Sequence, residues 1–409
     1  MIYFLLPKPH LLSYKHLNYS SSSNPPTPYI STSLSHYLCD VKKKINDYPN
    51  DWDIYKKYTN PYEYIHTNIP NKKNAVSEIK PLSRSYFKMI EIIHLFKLKD
   101  FTTDIPNHKI TNNDPKALLK PPHIPIKTFH LAEGPGGFIE AMVNLRKNSK
   151  DTYVGMTILD DVSDLNIPAW KKSTLFLNEN PNVIIETGKD KTGNILNLSN
   201  FEYCVDKYKS SMDIITADGG FDFSFDFNNQ EISIVKLLFA QIAYALCMQK
   251  KGGHFILKIF DCFMSHTVEL LYLLSSFYDK VYVTKPQTSR FANSEKYIVC
   301  KKFGFSSCAE FYPYLHATFF KMTNSNEYTH HFLNVPMSHY FLTRVEEYNS
   351  IFGQQQIENI YYTLVLIDTK HRSEKINTLI KNNIQKSIQW CIKYNIPYNY
   401  FIDKSNIFL

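Results

Sequence analysis

Glycine is scarce in this chain, with 12 among 409 residues. A Gly134-Pro135-Gly136-Gly137 cluster against that background points to backbone geometry rather than composition. Cysteine supplies no framework. The seven cysteines are odd in number, form no CxxC and lack zinc-ligand spacing, which speaks against a disulfide scaffold or zinc module and fits a reducing compartment. Cys247 and Cys300 lie in apolar runs and read as buried free thiols. No run approaches the roughly 18 apolar residues of a membrane span, so no membrane partner is expected. The apolar start, MIYFLLPKPHLL, has no basic n-region or small-residue cleavage site, so it does not read as a signal peptide.

What is present is globular. With 44% hydrophobic and 21% charged residues, the composition excludes a disordered chain. The length suits one large domain with additions, or two domains. Basic residues outnumber acidic ones by 46 to 38, a net +8 that favours a polyanionic partner without identifying it.

Three regions follow from the patterning: 1–75, 76–305 and 306–409. The first is rich in Tyr, Pro, Ser and Asn and reads as an irregular extension with short helices at most. A helix is expected over 83–98, where Phe87, Ile90 and Ile93 recur at near-helical spacing. From residue 126 strands alternate with helices. IKTFHLA, TYVGMTIL, NVIIE, SMDIITAD and GHFILKIF are strands, with helices at 138–146, 232–248 and 266–277 among them. That alternation predicts an α/β fold with a mostly parallel sheet and helices on both faces. Segments 280–286 and 296–303 are too close for a helix between them, so they should form an antiparallel hairpin at the sheet edge and bring the total to seven strands. In the last region, IYYTLVLI reads as a strand followed by an amphipathic helix through Trp390, with no chemical role.

In open α/β sheets ligands bind beyond the carboxyl ends of the strands. The turn Glu133-Gly134-Pro135-Gly136-Gly137-Phe138 follows the first of these strands. Glu133 would repel a pyrophosphate and welcome a cationic sulfonium, which favours S-adenosyl-L-methionine over NAD. Asp160 and Asp161, at the tip of the second strand, could accept hydrogen bonds from a ribose or adenine edge. Asp190 is placed to meet the base side, with a plain surface loop as the alternative.

Four further residues fall at segment edges that such a fold gathers: Lys88, Asp218, Lys258 and Glu295. Lys258 lies in the almost wholly apolar FILKIF, where a lysine is costly unless it finds partners or emerges at an edge. A sugar hydroxyl is a very weak acid and needs a base, yet an ordinary lysine, with a pKa of about 10.4, is protonated at neutral pH. Burial and a second ammonium depress such a value, and carboxylates restore it. Lys258 is therefore read as the general base and Lys88 as the neighbouring like charge. Asp218 and Glu295 orient the amines; no metal-ligand cluster is seen, and none is needed. Arg84, Lys285, Arg290 and Lys296 flank this pocket as candidate phosphate ligands, and Phe221 in FDFSFDF as a stacking face.

AEGPGGF, TADGG, GGHFILKIFD and KPQTSRFANSEKYIVC together resemble the FtsJ/RrmJ-like RNA 2′-O-ribose methyltransferases, over roughly residues 80–305. The last of these motifs and the Lys-Asp-Lys-Glu set are similar to the cap-specific mRNA nucleoside 2′-O-methyltransferase branch. The resemblance implies a Rossmann-like S-adenosylmethionine-dependent fold and a catalytic tetrad of Lys88, Asp218, Lys258 and Glu295. It also implies that Gly134, Gly136 and Gly137 bind the methionine end of the cofactor and Asp190 its adenosine. Capped mRNA is the implied substrate. Viral members of the family add a cytoplasmic replication setting, capping or transcription machinery as partner, and packaging in the particle. An rRNA or tRNA 2′-O-methyltransferase and a non-catalytic RNA-binding module are the alternatives.

Overall fold

The computed structural model describes residues 2–98, 124–159, 169–220 and 228–399. The chain opens with β1 (Tyr3–Leu6), β2 (Leu17–Ser22), α1 (Thr32–Lys43), α2 (Trp52–Tyr58) and α3 (Ser85–Phe96). Then come β3 (Lys127–Leu131), α4 (Gly137–Arg146), β4 (Thr152–Met156), α5 (Thr174–Glu179), β5 (Val183–Ile185), α6 (Leu198–Tyr208) and β6 (Met212–Ala217). The centre continues with α7 (Gln230–Met248), β7 (Gln249–Ile259), α8 (Ser265–Phe277), β8 (Tyr278–Thr284) and β9 (Lys296–Phe303). The last part holds α9 (Tyr312–Thr323), β10 (Tyr328–Leu333), α10 (His339–Asp368) and α11 (Ser373–Tyr394).

The main sheet has eight strands in the order β1-β8-β9-β7-β6-β3-β4-β5. The five strands from β5 to β7 pair in parallel, whereas β9, β8 and β1 add antiparallel. Apolar side chains cover both faces. Helices α6, α7, α8 and α9 contribute to the core on one side, and α3, α4 and α11 to that on the other. Strand order reverses between β3 and β6, so the connections leaving these two strands diverge and open a crevice at their carboxyl ends.

Three expectations are corrected. The N-terminal segment is not merely irregular. Tyr3–Leu6 pairs with β8 and forms the sheet edge, making eight strands rather than seven and placing the β8–β9 hairpin inside the sheet. An apolar strand of only four residues carried too little pattern to be recognised. IYYTLVLI is helical, as part of the 30-residue α10; its β-branched and aromatic content resembles a strand, but packing against α1 and α2 decides the matter. Finally, α7 is long and apolar enough to cross a membrane by length and composition, yet 83% of the relevant window is buried inside the protein. Its apolarity serves the core.

Candidate active site

A cavity of about 610 Å³ lies over the β3/β6 crevice, within the range of small-molecule sites. Its walls include Ala132, Glu133 and Gly134 after β3, Thr157 and Ile158 after β4, and Gly193–Leu196 after β5. Lys88, Asp218, Lys258 and Glu295 all line it.

Each of the four is delivered by a different element. Asp218 is the first residue past β6 and Lys258 the penultimate residue of β7, neighbouring parallel strands that point the same way. Glu295 precedes β9, which runs antiparallel beside β7. Lys88 comes from the first turn of α3, packed on α4. Lys88 Nζ donates to Glu295 Oε2 at 2.7 Å, and Ser289 Oγ to Glu295 Oε1 at 2.6 Å. Lys258 Nζ donates to the Asp218 carbonyl at 2.6 Å and lies 3.3 Å from its Oδ1. Tyr297 Oη donates to the same Asp218 Oδ1 at 2.8 Å. The two ion pairs therefore stand side by side, Lys88–Glu295 the deeper and Lys258–Asp218 the more open to the cavity.

The electrostatics follow the burial. Desolvation depresses the Lys88 ammonium below the ordinary lysine value, and Arg84 and Lys258 add to that, against the pull of Glu295 and Asp218. Burial would raise Glu295, but Lys88 and Lys258 override it and hold the carboxyl well below the usual range. Gly220 keeps the mouth open: a Cβ there would stand 3.3 Å from Lys258 Nζ.

The glycine turn divides its labour differently from expectation. Gly134 lines the cavity, whereas Pro135, Gly136, Gly137 and Phe138 do not. A Cβ on Gly137 would meet the Ser83 and Ser85 hydroxyls at 2.3 Å, so this glycine permits the close approach of α4 to α3. Phe138 is fully buried and packs 6.0 Å from the Tyr297 ring. The Pro135 carbonyl accepts from Ser173 Oγ at 2.6 Å. Glu133 reaches the cavity, but its Oε1 accepts from the Phe138 and Ile139 amides and caps α4, while Oε2 lies 3.1 Å from His130 Nδ1. Burial pushes this carboxyl up from its ordinary value.

Asp190 does not line the cavity either. Its carboxylate accepts from the Thr192 amide and hydroxyl and from Asn197 and Asn200, and so folds its own loop. That loop in turn presents Gly193–Leu196 to the cavity. Asp160, Asp161 and Phe221 lie outside the described residues.

Of the proposed phosphate ligands, Arg84 alone lines the cavity. Lys285 is buried and spends its ammonium on the Asn293 carbonyl, Asn293 Oδ1 and the Glu295 carbonyl. Lys296 is buried, donates to the Ser294 carbonyl and stands 3.7 Å from Asp261. Arg290 makes a two-point pair with Glu63, at 2.9 and 2.6 Å. Lys285 and Lys296 brace the 285–296 loop, and Arg290 ties it to Glu63 while lining a separate cavity with Lys42 and Lys56; nearness in sequence to Glu295 does not distinguish these roles. Tyr297 and Ser289 were missed, although both stand within six residues of Glu295, one on the strand that follows it.

An open α/β sheet with two lysine–carboxylate pairs around a cavity at its switch point is a nucleotide-type fold with a charged site at the carboxyl ends of its strands. The family model described as FtsJ-like methyltransferase matches residues 81–303, more than half of the chain. The chain belongs to the FtsJ-like methyltransferase family. Among its relatives, cap-specific mRNA (nucleoside-2′-O-)-methyltransferase 2 of Mus musculus is 26% identical over 93% of this chain and 49% of its own length. The Drosophila melanogaster protein of the same description is 27% identical over 65% and 36%. Cap-specific mRNA (nucleoside-2′-O-)-methyltransferase 1 of Trypanosoma cruzi is 38% identical over 42% and 46%. The chain thus spans about half or less of the length of the curated relatives it matches.

Proposed function

We propose that this chain methylates a ribose 2′-hydroxyl of RNA, near the 5′ cap of mRNA, with S-adenosyl-L-methionine as donor. The observation that carries the reading is the convergence of the Lys88–Glu295 and Lys258–Asp218 pairs on one cavity. The described residues suit the donor. Gly134 and Gly193 stand where a Cβ would run into backbone, at 2.4 Å from the Ala169 carbonyl and 1.9 Å from that of Thr157. Ile158, Ile195 and Leu196 offer apolar surface for a flat base, and Glu133 a carboxylate for a cation. When bound, S-adenosylmethionine supplies an electrophilic methyl on a sulfonium.

The protein's own part is positioning and proton movement. Lys258, at the open side, receives the hydroxyl proton as general base; Asp218 fixes its amine, and Tyr297 fixes Asp218. Lys88, held by Glu295, supplies the like charge next to it. Orientation of hydroxyl against methyl supplies much of the rate. A capping apparatus is the partner this reading calls for.

The test is methyl transfer to capped and uncapped transcripts of identical sequence. Lys258→Ala should abolish transfer, by about 10²-fold or more, with S-adenosylhomocysteine binding largely retained. Unchanged transfer refutes the base assignment, and equal labelling of both transcripts turns the reading towards an rRNA or tRNA enzyme.

A further inference from the structure

Beside the catalytic cavity lies a second depression of about 700 Å³, and Arg84 lines both. Its other walls include Lys73, Lys80, Glu78, His66 and Asn399. Lys73, Lys80 and Arg84 make no ion pair among the described residues. That sets them apart from the cations across the tetrad, where Lys42 is paired with Asp261 and Arg290 with Glu63. His66 adds a buried Nε2 without a hydrogen-bond partner.

The depression is built rather than incidental. The Val76 and Ser77 amides donate to the Tyr64 and Ile65 carbonyls, at 2.7 and 3.1 Å. On the opposite side, the Asn399 amide donates to the Val76 carbonyl at 2.8 Å, the Glu78 amide to Pro397 at 3.0 Å, and Asn399 Nδ2 to Ala75 at 3.0 Å. The end of the C-terminal region therefore pins one wall, in a part of the chain to which sequence patterning gave no role.

We infer that this groove holds the phosphodiester backbone of the RNA nucleotides that flank the methylated ribose, with Lys73, Lys80 and Arg84 as phosphate contacts. This rests on the RNA methyltransferase reading above and adds a strand path to it. Cations without internal partners, in a concave polar surface continuous with the ribose site, suit a chain of phosphates rather than one small molecule. Such contacts position the strand and carry no base preference.

Affinity for a capped 12-nucleotide RNA and for a capped dinucleotide, followed by fluorescence anisotropy across a salt series, tests the groove. Lys73→Ala/Lys80→Ala should weaken the 12-mer about tenfold and lower its log–log salt slope by about 1.4, as expected for two lost phosphate contacts on single-stranded RNA. The dinucleotide, too short to enter the groove, should change less than twofold. Glu78→Lys places a cation in the same wall and should tighten the 12-mer several-fold, a gain that misfolding cannot mimic. A 12-mer advantage and salt slope untouched by both variants overturn the groove. Absence of transfer by the unmodified protein to the capped 12-mer strikes the activity itself, and anisotropy still decides the groove.

Discussion

Lys88 and Glu295, 207 positions apart in the chain, meet as a buried ion pair 2.7 Å apart in the wall of the cavity over the β3/β6 crevice. Two charges removed from water are tolerated only while both are present, because either one alone is left desolvated. Lys88→Met and Glu295→Gln should therefore each cost about 3–5 kcal/mol in urea unfolding. The double variant should cost less than the two together, and that coupling is the quantity to measure. Single variants within about 0.5 kcal/mol of wild type would mean that the pair is solvated in solution. Methyl transfer should be lost in all three.

The same loop is tied down further out by Glu63 and Arg290. Burial would raise the Glu63 carboxyl, but Arg290 and His66, with a hydrogen bond from Asn60, bring it down from 4.5 to about 2. A carboxyl lowered on folding stabilises the native state above its unfolded value and ceases to do so as pH falls through its folded one. Stability worth about 3 kcal/mol should therefore be lost between about pH 4.5 and pH 2. Urea midpoints of wild type and Glu63→Gln should differ at pH 6 and converge towards pH 2; a gap that does not depend on pH counts against the assignment.

Much of this arrangement is readable from sequence, for a physical reason. Parallel strands of an α/β sheet are continuous apolar runs, so a charged residue at a strand's end, like Asp218 or Lys258, stands out against them. The tetrad could be gathered on paper because the fold fixes which strand ends meet. The roles of Lys285, Lys296 and Arg290 were not readable: a loop cation that binds phosphate and one that ties its own loop have the same sequence context. Gly137 misleads similarly, since closeness of backbone to a ligand and closeness of helix to helix require the same absence of a side chain, and Gly136 serves a left-handed turn with φ +104°. Lys73 sits in the segment that reads as irregular and Lys80 just beyond it, before the first expected helix, and only folding shows the two cations lining one groove.

Asp190 offers a case where a residue should matter to the cofactor without touching it. Burial would raise its carboxyl, but hydrogen bonds from Thr192, Asn197 and Asn200 hold it at about 2, so it stays an anion that organises the loop over any working pH. Gly193 in that loop has φ +68°, with its α-carbon against the Thr157 carbonyl, and the loop's next residues wall the cavity. Asp190→Ala removes acceptors from four donor groups, most of which water can reach, so global stability should fall by only about 1–2 kcal/mol. The wall from Gly193 to Leu196 should nonetheless loosen, and S-adenosylhomocysteine affinity should drop about tenfold in calorimetry, since a loop ordered only on binding draws its ordering cost from the affinity. Gly193→Ala should do the same more severely, because its Cβ meets backbone rather than a movable side chain. If Asp190 instead contacts the nucleoside directly, Asp190→Asn, which can keep the carbonyl acceptor for three donors while its new amide faces that of Asn197, should discriminate adenosine analogues differently from wild type. Equal losses across such analogues are the mark of the loop role.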